Sequence, residues 1–153
     1  MALISVTRLR VRSFGYLPQF VWETLKAMRQ AEHSPGFLGG KLLRNAKNAF
    51  WTLTAWTDEA AMNAYRTGGA HRGVMPKLLN WCDEAAVVHW TQESLALPSW
   101  QTAHQHMLTQ GKPSKVNHPS PAQVRNQIPV PEPSRIDRTL KPCKFQKQHP
   151  REA

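Results

Sequence analysis

Residues 2–12 alternate in polarity, with Leu3, Leu9 and Val11 on one side of an extended chain and Ile4 and Val6 on the other, which predicts a strand. Over "YLPQFVWETLKAMRQAE" (16–32) the period changes to that of a helix. Val21, Leu25 and Met28 recur at helical spacing beside Phe20, Thr24, Ala27 and Ala31, and Pro18 suits a first turn. "HSPGFLGG" ends the helix at Pro35 and Gly36. Strands are predicted over 37–44 and 50–56, joined by "NAKN", a connection suited to a hairpin. Thr57 then offers an N-cap, with Asp58 and Glu59 in the first turn of a helix that runs to Arg66. Gly68 and Gly69 interrupt it, and a second helical piece covers 71–81, its start blurred by Pro76. Residues 84–92, "EAAVVHWTQ", read as the final strand. Residues 98–110 read as a short amphipathic helix with Trp100, Ala103 and Met107 on one side.

The order strand, helix, strand, strand, helix, strand is that of an α+β, ferredoxin-like βαββαβ fold: an antiparallel sheet with both helices on one face. The other face should be polar. It is not. Trp51, Leu53 and Ala55 oppose Phe50 and Trp56 on the third strand, and Ala86, Val88 and Trp90 oppose Ala85 and Val87 on the fourth. An apolar face left uncovered by the helices predicts a second copy packed sheet on sheet, and hence a homodimer.

Charge divides the chain. Residues 1–110 hold 11 Lys/Arg against 7 Asp/Glu, whereas 111–153 hold 9 against 3 and also carry 8 of the 12 prolines. Three regions follow: a domain over 1–97, an accessory helix over 98–110, and a basic, proline-rich tail over 111–153 expected to be disordered with polyproline II stretches. Such a tail suits weak, salt-sensitive contact with polyanions, or no fixed partner. No motif that reads nucleic-acid sequence is present. Cys82 and Cys143, the only cysteines, belong to no ligand cluster, so neither a metal site nor a disulfide framework is predicted. The arginines at 8, 10 and 12 break up the N-terminus, and no stretch reaches the ~18 apolar residues of a membrane span, so a cytoplasmic protein is expected.

The stretch "YRTGGAHRGVMPKLLNW" (65–81) carries the candidate chemistry. His71 starts a series with Val74, Met75, Leu78 and Leu79 that shares one helical face. It either lines a site or packs as a hydrogen-bonded core residue. A neutral imidazole can take a proton from an acidic substrate or offer a lone pair to iron. Arg72 beside it is either a solvated charge or a group that steadies an enolate. His89, between Val88 and Trp90, is a further cavity candidate, and Trp51 or Phe50 would supply the sheet side of such a cavity.

The segment "FWTLTAWTDEAAMNAYRTGGAHRGVMPKL", with "SPGFLGGKLLRN" before it, resembles the dimeric α/β-barrel superfamily of antibiotic-biosynthesis-type monooxygenases, in particular the small bacterial branch similar to spheroidene monooxygenase. The resemblance covers about residues 3–97. It implies a cavity between sheet and helices in which a hydrophobic small molecule is oxidised by O2, with no cofactor or with haem. It implies that His71 matches the iron-ligating histidine of haem-degrading relatives and Tyr65 the aromatic residue that presses on the porphyrin. The first strand, "ISVTRLRVR", lacks the asparagine of the haem degraders. The competing class is a non-catalytic ligand-binding or oligomerisation module on the same fold.

Overall fold

The computed structural model describes residues 1–132 and 136–143. β1 (Ala2–Val11) lies inside a six-stranded antiparallel sheet, followed by α1 (Leu17–Glu32), the hairpin of β2 (Phe37–Asn45) and β3 (Ala49–Trp56), then α2 (Glu59–Thr67), α3 (Gly69–Trp81) and β4 (Cys82–Gln92). β1 pairs with both β3 and β4, so residues from three strands form transverse rows. The ferredoxin-like order is therefore present. The hairpin turns through Lys47 and Asn48, both at φ 60°, as a tight turn with the twist of its strands demands. α2 begins one residue later than the sequence suggests: Asp58, not Thr57, is the N-cap, and its carboxylate accepts the Ala61 N–H at 2.8 Å. Its charged acceptor meets the free N–H groups of the first turn, at the positive end of the helix. Gly36, at φ +83°, has no room for a side chain, because a Cβ there would lie 2.6 Å from that of Ala61. The α1–β2 turn can thus sit directly against α2.

The face opposite α1–α3 is covered by the chain itself, which corrects the expectation of an open apolar face. α4 (Trp100–Gln110), capped by Ser99, lays Ala103 and Met107 onto Ile4, Val6, Trp51, Leu53 and Val88. Trp51 is fully buried there, edge-on to Trp100 at 6.4 Å and to His104 at 6.1 Å. Leu97 and Ile128 close the margin.

The stretch read as a disordered tail also differs over 111–132 and 136–143. β5 (Lys112–Pro113) pairs with β4 at one sheet edge, and β6 (Ile136–Leu140) pairs with β2 at the other. Between them lies a short helical turn, α5 (Pro121–Val124). Backbone N–H groups of Ser114, Asn117 and Ser120 donate to the carbonyls of Ala85, Leu79 and Asp83, and side chains add to these bonds. Gln123 accepts the Ala85 N–H and donates to the carbonyls of Ala85 and Ser114, all near 3 Å. Ser120 donates to Glu84 at 2.8 Å, and that buried carboxylate also meets Arg8 at 2.6 Å and Arg10 at 3.2 Å. The remainder of the tail expectation concerns 133–135 and 144–153, outside the described residues. No helix among the described residues is long and apolar enough to cross a membrane.

Candidate active site

Alternation along the strands makes the cavity floor. On β1 the side chains of Ser5, Thr7 and Leu9 face α1–α3, as do Thr52, Thr54 and Trp56 on β3 and Ala85, Val87 and His89 on β4. Ser5 pairs with Thr54 on one side and His89 on the other, so one row across three strands reads His89, Ser5, Thr54. Above this hydroxyl-bearing floor lies a cavity of about 330 Å³, roofed by Phe20, Thr24, Ala27 and Met28 of α1, Met62 and Tyr65 of α2, and His71, Val74, Met75, Leu78 and Leu79 of α3. Ser114, Lys115 and Val116 of the C-terminal segment form a further wall.

His71 is held by a column of rings. Phe37 meets Trp56 edge-on at 5.3 Å, Trp56 stacks on Tyr65 at 5.0 Å, and Tyr65 meets His71 at 4.8 Å. The polar atoms of the tryptophan and the tyrosine in the column both have partners. Trp56 donates to Thr54 at 2.9 Å, and the Tyr65 hydroxyl donates to the Ala27 carbonyl at 3.1 Å. Burial keeps that phenol protonated by raising its pKa. Gln30 secures the α2–α3 junction: its amide donates to the carbonyls of Tyr65 and Gly68 at 3.1 and 2.9 Å and accepts the His71 N–H at 2.9 Å. Gly69, at φ 52°, makes the bend that lets this happen.

The two imidazoles are poised differently. His71 Nδ1 lies 3.2 Å from the Arg66 carbonyl, which can only accept, so in the neutral ring Nδ1 carries the proton and Nε2 keeps its lone pair. His89 Nε2 is buried and has no hydrogen-bond partner among the described residues. Burial lowers both pKa values, the Arg66 charge adding to the effect in each, though at His71 its backbone hydrogen bond opposes the fall. Glu59 acts in the other direction at His89.

The sequence candidates separate. Tyr65, His71, Val74, Met75, Leu78 and His89 share the cavity. Trp51 does not, because neighbours on a strand point to opposite faces and Trp51 belongs to the α4 side. Phe50 is on the cavity side but packs against Phe20 at 4.8 Å, behind the lining. Arg72 is exposed and lines nothing, whereas Arg66, which sequence reasoning passed over, is at the cavity. The porphyrin pose that the resemblance implies does not fit: the rings of Tyr65 and His71 are already in contact, leaving no slot for a plate between them.

The model of the antibiotic biosynthesis monooxygenase family matches residues 3–77. Among solved structures, a variant of SnoaB, a cofactor-independent oxygenase from Streptomyces nogalater, matches at 19% identity and a TM-score of 0.52, over 64% of this chain and 98% of that one. A conserved protein from Methanosarcina mazei Go1 matches at 13% and 0.54, over 61% and 94% of the respective chains. Rv0793 from Mycobacterium tuberculosis matches at 11% and 0.53, over 61% and 97%. At these identities the likeness is one of fold, and over a third of this chain has no counterpart in them. No curated protein matches. The fold and the family match agree, and the chain carries an antibiotic biosynthesis monooxygenase domain.

Proposed function

We propose that this protein is a monooxygenase that binds a hydrophobic, enolisable small molecule between sheet and helices and oxidises it with O2. The observation that carries the reading is an apolar cavity in which two imidazoles are held towards their neutral forms. Its volume, about 330 Å³, falls at the small end of ligand pockets. A lone pair on His71 or His89 removes a proton from an acidic C–H or O–H, and the resulting carbanion or enolate is electron-rich enough to give an electron to O2. A methylene that becomes a carbonyl yields four electrons, which O2 consumes when one of its atoms ends in the carbonyl and the other in water. No external reductant is then needed. The SnoaB likeness supports cofactor-free chemistry, while the narrower spheroidene-like branch rests on sequence resemblance alone.

The test is O2 uptake with a series of apolar enolisable ketones. Activity should fall ~10²–10⁴-fold in the His71→Ala or His89→Ala variant, the usual contribution of a positioned base. Undiminished uptake in both variants would refute the assignment. Binding without any uptake would favour the second reading, a ligand-binding module on the same fold. For the homodimer expected from sequence, α4 must be exchanged between copies or another surface used, because α4 covers the sheet face in its own chain. Sedimentation at micromolar concentration reads the assembly, and crosslinking α4 to β3 within one chain distinguishes the two routes.

A further inference from the structure

We propose that Arg66 holds an anionic oxygen of the ligand at the imidazole end of the cavity, so that the preferred ligand is an apolar molecule bearing a carboxylate or comparable oxyanion. The inference rests on the cavity reading above and narrows it to a chemical class.

Arg66 lies in the last turn of α2 and lines the cavity. Its backbone is fixed from both sides, since Gln30 binds the carbonyls of Tyr65 and Gly68 and the Arg66 carbonyl itself holds His71. An exposed arginine is usually a solvated charge or half of an ion pair. No carboxylate lies within ion-pair distance of Arg66 among the described residues, although the chain pairs Arg8, Arg10, Lys26 and Lys77. Glu59, two turns earlier on α2 and facing the same region, makes no such bridge. The guanidinium therefore stands at the edge of an apolar space beside two imidazoles that resist protonation, and it supplies the fixed positive charge at this end. Its flat fork of N–H donors matches an oxyanion in two parallel hydrogen bonds, and it dehydrates more readily than an ammonium. The other lining cation, Lys115, belongs to the opposite end: its neighbour Ser114 is bonded to Ala85, four residues before His89 on β4.

The experiment compares 2-naphthoate with 2-naphthalenemethanol, which share a ring system and differ in charge, by calorimetric titration of the full chain. The expected result is a preference of about tenfold for naphthoate, the usual worth of a charged hydrogen-bond pair. Arg66→Gln should abolish that preference, while Arg72→Gln and Lys115→Gln should retain it. All three residues are exposed, so the variants fold. Equal binding of the two probes, a preference that survives Arg66→Gln, or one that vanishes in Lys115→Gln overturns the proposal while leaving the cavity reading intact. Failure of both probes to bind overturns the two together.

Discussion

The two faces of the sheet are made by the same strands and have opposite characters. Towards α4, alternate residues of β1, β3 and β4 are Ile4, Val6, Trp51, Leu53, Ala86 and Val88, closed by Ala103 and Met107 into dense apolar packing. Towards α1–α3, the intervening residues mix Ser5, Thr7, Thr52, Thr54 and His89 with Leu9, Trp56, Ala85 and Val87, beneath a hollow. Strand pairing does not distinguish the faces. What differs is volume and polarity: the first face stabilises by burial, and the second gives up packing to keep open space and hydrogen-bonding groups next to apolar walls. The stable half of the molecule and its chemical half are thus back to back, one peptide plane apart.

The comparison makes graded predictions. Trp51→Ala removes the largest fully buried side chain of the packed face and should cost ~3–5 kcal/mol, measured by denaturant unfolding, with ligand affinity of the folded protein unchanged. If affinity falls as well, the faces are coupled. Gln30→Ala leaves two carbonyls and one N–H at the α2–α3 junction without their partner, so ~1–3 kcal/mol should be lost together with the placement of His71. His71→Ala should cost ~1 kcal/mol or less, because the Arg66 carbonyl it leaves behind can be hydrated, yet activity should collapse.

The pH dependence should separate the faces too. His71 and His89 have folded pKa values below the ordinary 6.5, so the unfolded chain binds protons first; their contribution to stability is complete above pH 6.5 and declines as pH falls from there through the folded values. A base that must be neutral places the acid limb of the rate profile below pH 6.5 as well. Glu84, on the packed side, is desolvated, but its hydrogen bonds from Arg8 and Ser120 prevail and hold its pKa below 4.5. Its contribution therefore survives until pH falls below 4.5. Melting temperatures between pH 7 and 3 should show two successive losses, and Glu84→Gln should remove the more acidic one.

Strands, helices and their order were legible because each element buries one face and so carries a period. The shared face of His71, Val74, Met75 and Leu78 has the same origin. Periodicity separates faces without saying which is hollow. That is why Trp51 and His89 could both be placed in the cavity from sequence although they occupy opposite sides. The cover supplied by α4 was visible as an amphipathic helix, but its destination was not. The segments after Gly111 left no trace because they are anchored by individual side chains, Ser120 and Gln123 above all, rather than by a repeating pattern. Arg66 was missed for a similar reason: an arginine beside a tyrosine has no periodic signature, and its position depends on a helix break held by Gln30, a residue distant in sequence.

β5 and β6 sit at the two borders of the sheet, so segments synthesised after the four central strands finish both. Until residue 113 emerges, β4 offers its free hydrogen-bonding groups to any passing strand, and until residue 140 emerges, so does β2. At 5–20 residues per second, the 48 positions from the end of β4 to Leu140 take roughly 2–10 s to synthesise. Both borders of the nascent domain are open until residue 113 emerges and one border stays open until residue 140, so nascent-chain aggregation should be greatest for chains stalled between the end of β4 and β5.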